Sequence, residues 1–375
     1  MSNEPILTSQ IFDNQAIIKV VGVGGAGTNA VNRMIEEGVA GVHFVAMNTD
    51  AQALKQSKAP MRLPLGGDST RGLGAGGDPQ VGEAAARESE KLIQAELEGC
   101  DMVFITAGMG GGTGTGAAPV VAEVARRMGI LTVGVVTKPF LFEGPRRRRL
   151  AQEGSARLKE HVDTLITVPN DRLLEFVEKK ATMQQAFSAA DDVLRQGVQG
   201  LSDIIMLPGV INVDFADVRS VMKDAGVALM GLGRGVGEQR ARVAAQNAAS
   251  SPLLETNIQG AKKILVNISA GSDFSIGEAH EAMEYIMQFA DAEDADIIMG
   301  HVLKSESVGE VTVTLLAAGM PGTTATMTDR EVFPTVATAP SIPAANRAGV
   351  VPQPIQLDEI DLDIPTFLRR QRQGS

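Results

Sequence analysis

Residues 110–116 read Gly-Gly-Gly-Thr-Gly-Thr-Gly, and they constrain the fold more tightly than any other stretch. An apolar run at 102–107 leads in, and Val120, Val121, Val124 and Met128 recur at helical spacing beyond. The order is strand, glycine loop, helix start. Without Cβ atoms, consecutive backbone N–H groups can close around an anion while the following helix turns its positive end toward it. Thr113 and Thr115 add hydroxyl donors that can reach a phosphate oxygen. A plain surface turn is the alternative, but it needs neither the buried strand before it nor the helix after it.

The chain opens with a polar arm to about Asn14, then a buried strand over 16–21. A second glycine stretch follows, Gly22-Val-Gly24-Gly25-Ala26-Gly27-Thr28-Asn29, then a helix with Ala30, Val31, Met34 and Ile35 on its apolar side. A strand at 43–47 completes a β-α-β unit, which implies parallel strands and a right-handed crossover. Gly22, Gly24 and Gly27 satisfy G-x-G-x-x-G, with Asp50 about twenty residues beyond, so a nicotinamide-dependent oxidoreductase is a rival reading. Two features oppose it. A dinucleotide domain has no use for a second phosphate loop at 110–116, and His43, His161, His280 and His301 are scattered rather than grouped for hydride transfer. Two glycine loops at the ends of parallel strands suit one polyphosphate held from two sides. A third glycine-rich stretch, 66–77, is long enough to order around a ligand, or else is a simple connector, and a charged amphipathic helix is predicted over 81–97. Neither G-x-x-x-x-G-K-[ST] nor Asn-Lys-x-Asp occurs, which excludes the commonest ATPase and GTPase plans.

Met183, Phe187, Leu194, Val198, Leu201 and Ile205 predict a long buried helix ended by Pro208-Gly209. On that pattern alone Phe187 is core. Asn212-Val-Asp214-Phe-Ala-Asp217 follows, where Asp214 would cap a helix over 215–223 and Asp217 would sit favourably in its first turn. Strands at 227–230, 263–268, 296–299 and 310–316, with helices at 238–249 and 276–290, predict an α+β unit packed on the long helix. His280-Glu281 does not complete a zinc-protease motif, because residue 284 is Glu. With no Trp, one Tyr and 12 Phe in 375 residues, the core must be Val, Ile, Leu, Met and Ala. A net charge of −11 argues against nucleic acid and anionic membrane as partners. Cys100 stands alone, which excludes an internal disulfide and a multi-Cys metal cluster and points to a reducing compartment. The expectation is a cytoplasmic protein with no signal peptide and no membrane insertion. After Gly319, scattered prolines predict a disordered linker, and apolar residues return in Leu357-Asp-Glu-Ile-Asp-Leu-Asp-Ile-Pro-Thr-Phe-Leu-Arg-Arg370.

The run Gly110–Gly116 resembles the glycine–threonine loop of the tubulin superfamily, and its surroundings resemble the FtsZ family of bacterial cell-division GTPases. The likeness extends through Asn48-Thr-Asp-Ala-Gln-Ala-Leu54, Thr70-Arg-Gly-Leu-Gly-Ala-Gly76, Thr137-Lys-Pro-Phe140, Val168-Pro-Asn-Asp171, Val193-Leu-Arg-Gln-Gly-Val-Gln-Gly200 and Asn212-Val-Asp-Phe-Ala-Asp217. It covers about residues 16–320 and touches the C-terminus again. Ala26 and Thr28 stand where glycine or another small residue is common in the family.

The resemblance implies an α/β fold: a Rossmann-like parallel-sheet GTPase domain (15–182) after an arm (1–14), a central helix (183–207) and an α+β C-terminal domain (208–320). A disordered linker (321–356) and a partner-binding peptide (357–375) complete it. It also implies roles. Gly25, Ala26, Gly27, Thr28 and Asn29, with Gly112, Thr113 and Gly114, would hold the phosphates of GTP or GDP, while Ala75 and Gly76 approach the γ-phosphate. Phe187 would stack on guanine, Asn29 and Asp191 would hydrogen-bond it, and Glu143 and Arg147 would reach the ribose. A carboxylate accepting from the guanine N1 and N2 hydrogens discriminates against adenine, which offers no such donor pair. Arg147 would turn inward from the run Arg146–Arg149 while its neighbours stay solvated. Asp214 and Asp217, placed by Asn212, would polarise the attacking water in the next subunit's pocket, with Mg²⁺ bridging the β- and γ-phosphates. Such head-to-tail contact does not close, so it builds a filament, in this family the division ring at mid-cell on the inner face of the membrane. Ile364, Phe367 and Leu368 would anchor membrane-tethering and regulatory division proteins. A GTP-binding filament without turnover is the remaining alternative.

Overall fold

Parallel strands cannot be joined by tight turns, so buried strands alternating with amphipathic helices commit a chain to a helix-covered sheet. The structure, a computed structural model, describes residues 16–175, 181–207, 209–304 and 307–320. It begins β1 (Ile18–Val23), α1 (Gly24–Glu36), β2 (His43–Asn48), α2 (Ala51–Gln56) and β3 (Met61–Pro64). Next come α3 (Pro79–Glu88), α4 (Glu90–Leu97), β4 (Met102–Gly108), α5 (Thr113–Arg127), β5 (Leu131–Lys138), α6 (Pro145–His161), β6 (Thr164–Pro169) and α7 (Asn170–Leu173). After α8 (Met183–Met206) and α9 (Phe215–Met222) follow β7 (Gly226–Val236), α10 (Arg240–Ala249), β8 (Lys263–Ala270), α11 (Ile276–Met287), β9 (Asp296–Leu303) and β10 (Glu310–Ala318).

The described strands form one sheet in the order β3-β2-β1-β4-β5-β6-β7-β10-β8-β9. From β3 to β7 every pairing is parallel, and β10 then runs antiparallel to both β7 and β8. The apolar strands owe their uniform hydrophobicity to helices on both faces. Ile18, Val20 and Phe104 pack in one cluster with Leu194, Val198 and Leu201 of α8; Val21, Val23 and Ile105 pack in another with Val120 and Val121 of α5.

Two sequence expectations change here. The helix predicted over 81–97 is divided at Ser89, which is buried and whose hydroxyl accepts the Gly66 N–H at 3.0 Å, tying the break to the loop below. The segment 225–320, expected as a unit set against the long helix, also continues the sheet, because Gly226, Val227 and Ala228 pair with Thr164, Leu165 and Ile166 of β6. α8 is seated tightly on this second half: the Asn267 Nδ2 donates to the Gly200 carbonyl at 2.8 Å. No helix among the described residues is long and apolar enough to cross a membrane. The arm at 1–14, Pro208, the linker and the peptide bearing Ile364, Phe367 and Leu368 lie outside the described residues.

Candidate functional site

The chain leaves β1 toward β2 and β3, then returns to β4 on the other side of β1. The connections after β1 and β4 therefore part, and a crevice opens at the carboxyl ends of these strands, where open α/β sheets bind ligands. A cavity of about 270 Å³ lies there, lined by Gly25 and Ala26 of α1, Gly112, Thr113 and Gly114 at the start of α5, and Glu143, Arg147, Asn170, Phe187 and Asp191.

Both helices present bare N-termini to it. No side chain caps α1 or α5, whereas α2, α3, α8, α9 and α11 are capped by Asp50, Asp78, Thr182, Asp214 and Ser275. Uncapped first-turn N–H groups are unsatisfied donors with positive potential, which an anion can fill. The two starts also touch. A Cβ on Gly24 would stand 2.8 Å from the Gly114 nitrogen, so only glycine lets the two backbones meet. The stretch 22–29 is thus less a loop than a strand end running straight into a helix.

Several expected residues divide between lining and support. Gly27 and Thr28 are buried beneath the cavity, Asn29 is exposed, and none of the three lines it. Ala75 and Gly76 do not line it either, although the Ala75 methyl packs against Gly112. The Thr115 hydroxyl is not available as a phosphate donor: it is fully buried and accepts the Gly110 N–H at 2.8 Å. Gly110, at φ 99°, crosses so close to the Arg147 carbonyl that a Cβ would lie 2.7 Å from its oxygen, which locks the loop to α6.

The other side of the cavity is aromatic and acidic. Phe187 is 40% exposed and meets Phe140 edge-on at 5.4 Å and Phe142 at 6.4 Å; the latter two stack at 4.9 Å. Phe187 is therefore not plain core. Glu143 is held from two directions, by the Phe140 N–H at 2.9 Å and by Arg147 at 2.5 Å. Arg147 lines the cavity yet remains exposed, like its arginine neighbours. One turn beyond Phe187, Asp191 has no hydrogen bond among the described residues, and burial pushes its carboxyl up to about 7 against the pull of Arg33.

Asn170 is a cavity residue to which the sequence reading assigned no role. It is buried, and its Oδ1 has no hydrogen-bond partner among the described residues. Its place in Val168-Pro-Asn-Asp171, at the carboxyl end of β6, was the available signal. Asp171 beside it accepts the Leu141 N–H at 2.9 Å and so braces the aromatic loop.

The acidic loop lies elsewhere. Asp191 precedes Met206 by about four turns of α8, roughly 22 Å along the axis, and Asn212 to Asp217 come after that end. Asp214 Oδ1 accepts the Asp217 N–H at 2.8 Å and caps α9; Asn212 Oδ1 accepts the Gly209 N–H at 2.7 Å. All three side chains are exposed, and none lines the cavity. Asp50 is committed too: its carboxylate accepts the Gln52 and Ala53 N–H groups at 2.8 and 3.2 Å, rather than standing free for a ribose. Among the described residues no group of three His, Cys, Asp or Glu is placed to hold a metal ion.

Residues 17–178 match the Tubulin/FtsZ family GTPase domain, and residues 226–321 match the FtsZ family C-terminal domain. The chain is similar to an empty FtsZ dimer from M. jannaschii, at 45% identity and TM-score 0.78, over 82% of this chain and 89% of that one. A single-residue mutant of FtsZ from M. jannaschii aligns at 46% identity and TM-score 0.78, over 82% and 92%. CetZ2 from Haloferax volcanii, in a GTPγS-bound protofilament, shares the fold at 20% identity and TM-score 0.70, over 81% and 93%.

Proposed function

The chain belongs to the tubulin/FtsZ family, and from that premise we propose that it binds GTP in the crevice between α1 and α5 and hydrolyses it only when a second copy docks head-to-tail. The phosphates would take the bare helix starts, with Gly25, Ala26, Gly112, Thr113 and Gly114 closest, and Gly27, Thr28, Ala75 and Gly76 supporting them. Asn29 would join only by turning toward the base. Guanine would lie against Phe187, its N1 and N2 hydrogens donating to Asp191, with Glu143 and Arg147 at the ribose. The orphan Asn170 Oδ1 would accept from a ribose hydroxyl or from the base.

The observation that carries the shared site is the separation along α8. The exposed carboxylates Asp214 and Asp217 follow the end of the helix that bears Asp191, about four turns on, and neither lines the cavity, so in this reading they serve a neighbour's pocket. On the neighbour's pocket they would accept a proton from the attacking water and orient it, with Asn212 bracing the loop. A Mg²⁺ ion supplies charge neutralisation at the β- and γ-phosphates when bound. With no carboxylate cluster among the described residues, phosphate oxygens and water would ligate it, and Thr113 and Thr137 are hydroxyls that line the cavity.

A heterologous contact of this kind repeats without closing and so yields a filament. In the cell the reading places that filament in the cytoplasm, at the mid-cell division site beneath the membrane. The peptide at 357–375 would reach tethering and regulatory proteins through Ile364, Phe367 and Leu368. The test is phosphate release per chain across a protein dilution series, with light scattering alongside. Turnover per chain should climb steeply where scattering begins; a flat value through that threshold removes the shared site from the account.

A further inference from the structure

Thr113 is the side chain of the glycine–threonine loop that faces the cavity, and its hydroxyl does not stand alone. Thr49 Oγ1 lies 2.6 Å from Thr113 Oγ1, across 64 residues of sequence, and Thr49 is 1% exposed. Thr49 does not line the cavity, so any effect it has on a ligand passes through Thr113. The same residue also holds a loop. Its carbonyl accepts the Gly74 N–H at 3.1 Å and the Thr70 hydroxyl at 3.4 Å, while the Ala51 N–H donates to the Gly72 carbonyl at 3.1 Å. Asp50 and Leu73 form a bridge, and Leu73 itself is 81% exposed.

A hydroxyl pair has two polarities. If Thr113 donates to Thr49, it turns lone pairs toward the cavity and repels an anion. If Thr49 donates, the Thr113 hydrogen is left free for a phosphate oxygen, and the two bonds in series strengthen each other. An arriving phosphate selects the second arrangement.

We propose that Thr49 is the positioning residue of the phosphate seat: it donates to Thr113, aims the Thr113 hydroxyl at phosphate, and links an occupied seat to the exposed loop 66–77. The inference rests on the GTP-binding reading above. Its physical content is one part-buried hydrogen bond whose direction an occupied seat fixes, on a residue whose backbone pins the loop bearing Leu73.

Thr49→Val keeps the shape and removes the hydroxyl, while Thr49→Ser keeps the hydroxyl. Binding of GTP, GDP and guanosine to the full chain is measured for all three proteins, with amide hydrogen exchange across 66–77 with and without GTP. Thr49→Val should bind GTP and GDP roughly five- to tenfold more weakly, the scale of one hydrogen bond, with guanosine unchanged. GTP should protect 66–77 in the wild type and in Thr49→Ser, and protect it less in Thr49→Val. Equal weakening toward guanosine would reduce Thr49 to a packing residue and overturn the proposal, as would wild-type GTP affinity in Thr49→Val or a Thr49→Ser protein as weak as Thr49→Val. If the wild type itself ignores GTP, the functional reading fails first, and that result is distinct from all of these.

Discussion

At Asp191, burial pushes the carboxyl from an ordinary value of 3.8 to about 7, opposed by the Arg33 guanidinium. Between those values the empty folded protein holds a proton that the unfolded chain has released. This group therefore favours folding at low pH, and the contribution is lost as pH rises through about 7. Bound guanine would reverse the preference, because its two donors would need the ionised carboxylate. Affinity for GTP should fall as pH drops below about 7, by up to about tenfold per pH unit, and binding near pH 6.5 should release a proton. Calorimetry in buffers of different ionisation enthalpy measures that proton directly. Asp191→Asn should bind weakly with a flat pH profile; a profile parallel to the wild type would assign the titration to another group. Phe187 shows what sequence could and could not tell at this scale. Its helical spacing is that of a core residue, and only its position at the mouth of the crevice, with Phe140 and Phe142 brought in from a distant loop, leaves it a free face. Thr115 shows the converse: a hydroxyl in a phosphate loop reads as a donor until its own backbone claims it.

Among the elements, the α8–α9 connection would carry a double role, because Asp214 is a helix cap and also a candidate catalytic carboxylate. The two can be separated. Asn caps a helix about as well as Asp, whereas Ala does not. Asp214→Asn should keep the wild-type Tm and Asp214→Ala should lose roughly 2–4 °C, while both should lose turnover by about a hundredfold or more. Turnover that follows Tm rather than charge would make Asp214 a cap alone. Long apolar elements such as β1, β4 and α8 were legible because burial on every side writes a continuous or strictly periodic pattern. Others were not. β3 has four residues with only Leu63 buried, so it has too little pattern to see. The break between α3 and α4 depends on Ser89 reaching Gly66, a contact 23 residues away that no local window contains. The merging of the two halves into one sheet rests on three residue pairs between β6 and β7, which nothing in either strand announces.

Across the whole molecule, one arrangement accounts for where the chemistry sits. A parallel sheet opens a crevice at its switch point, two bare helix starts fill one side of it, and α8 carries the chain from Phe187 and Asp191, which line it, to an exposed acidic loop that does not. Each copy would then own a pocket and a pair of carboxylates that do not line it. The glycine loops and the span of α8 were the legible part of this plan; that Asp214 and Asp217 stay out of the cavity was not, because it depends on how the chain folds after α8 rather than on any motif. The most direct measurement is a titration of Asp214→Asn into wild-type protein at fixed total concentration, reading phosphate release per wild-type chain. Since the variant keeps its own pocket and its cap, it should enter filaments, bind GTP, and silence the neighbour whose pocket it faces, so the rate per wild-type chain should fall steadily as its share rises. A rate per wild-type chain that stays constant at every ratio would mean that each copy completes its own site, and would contradict the account.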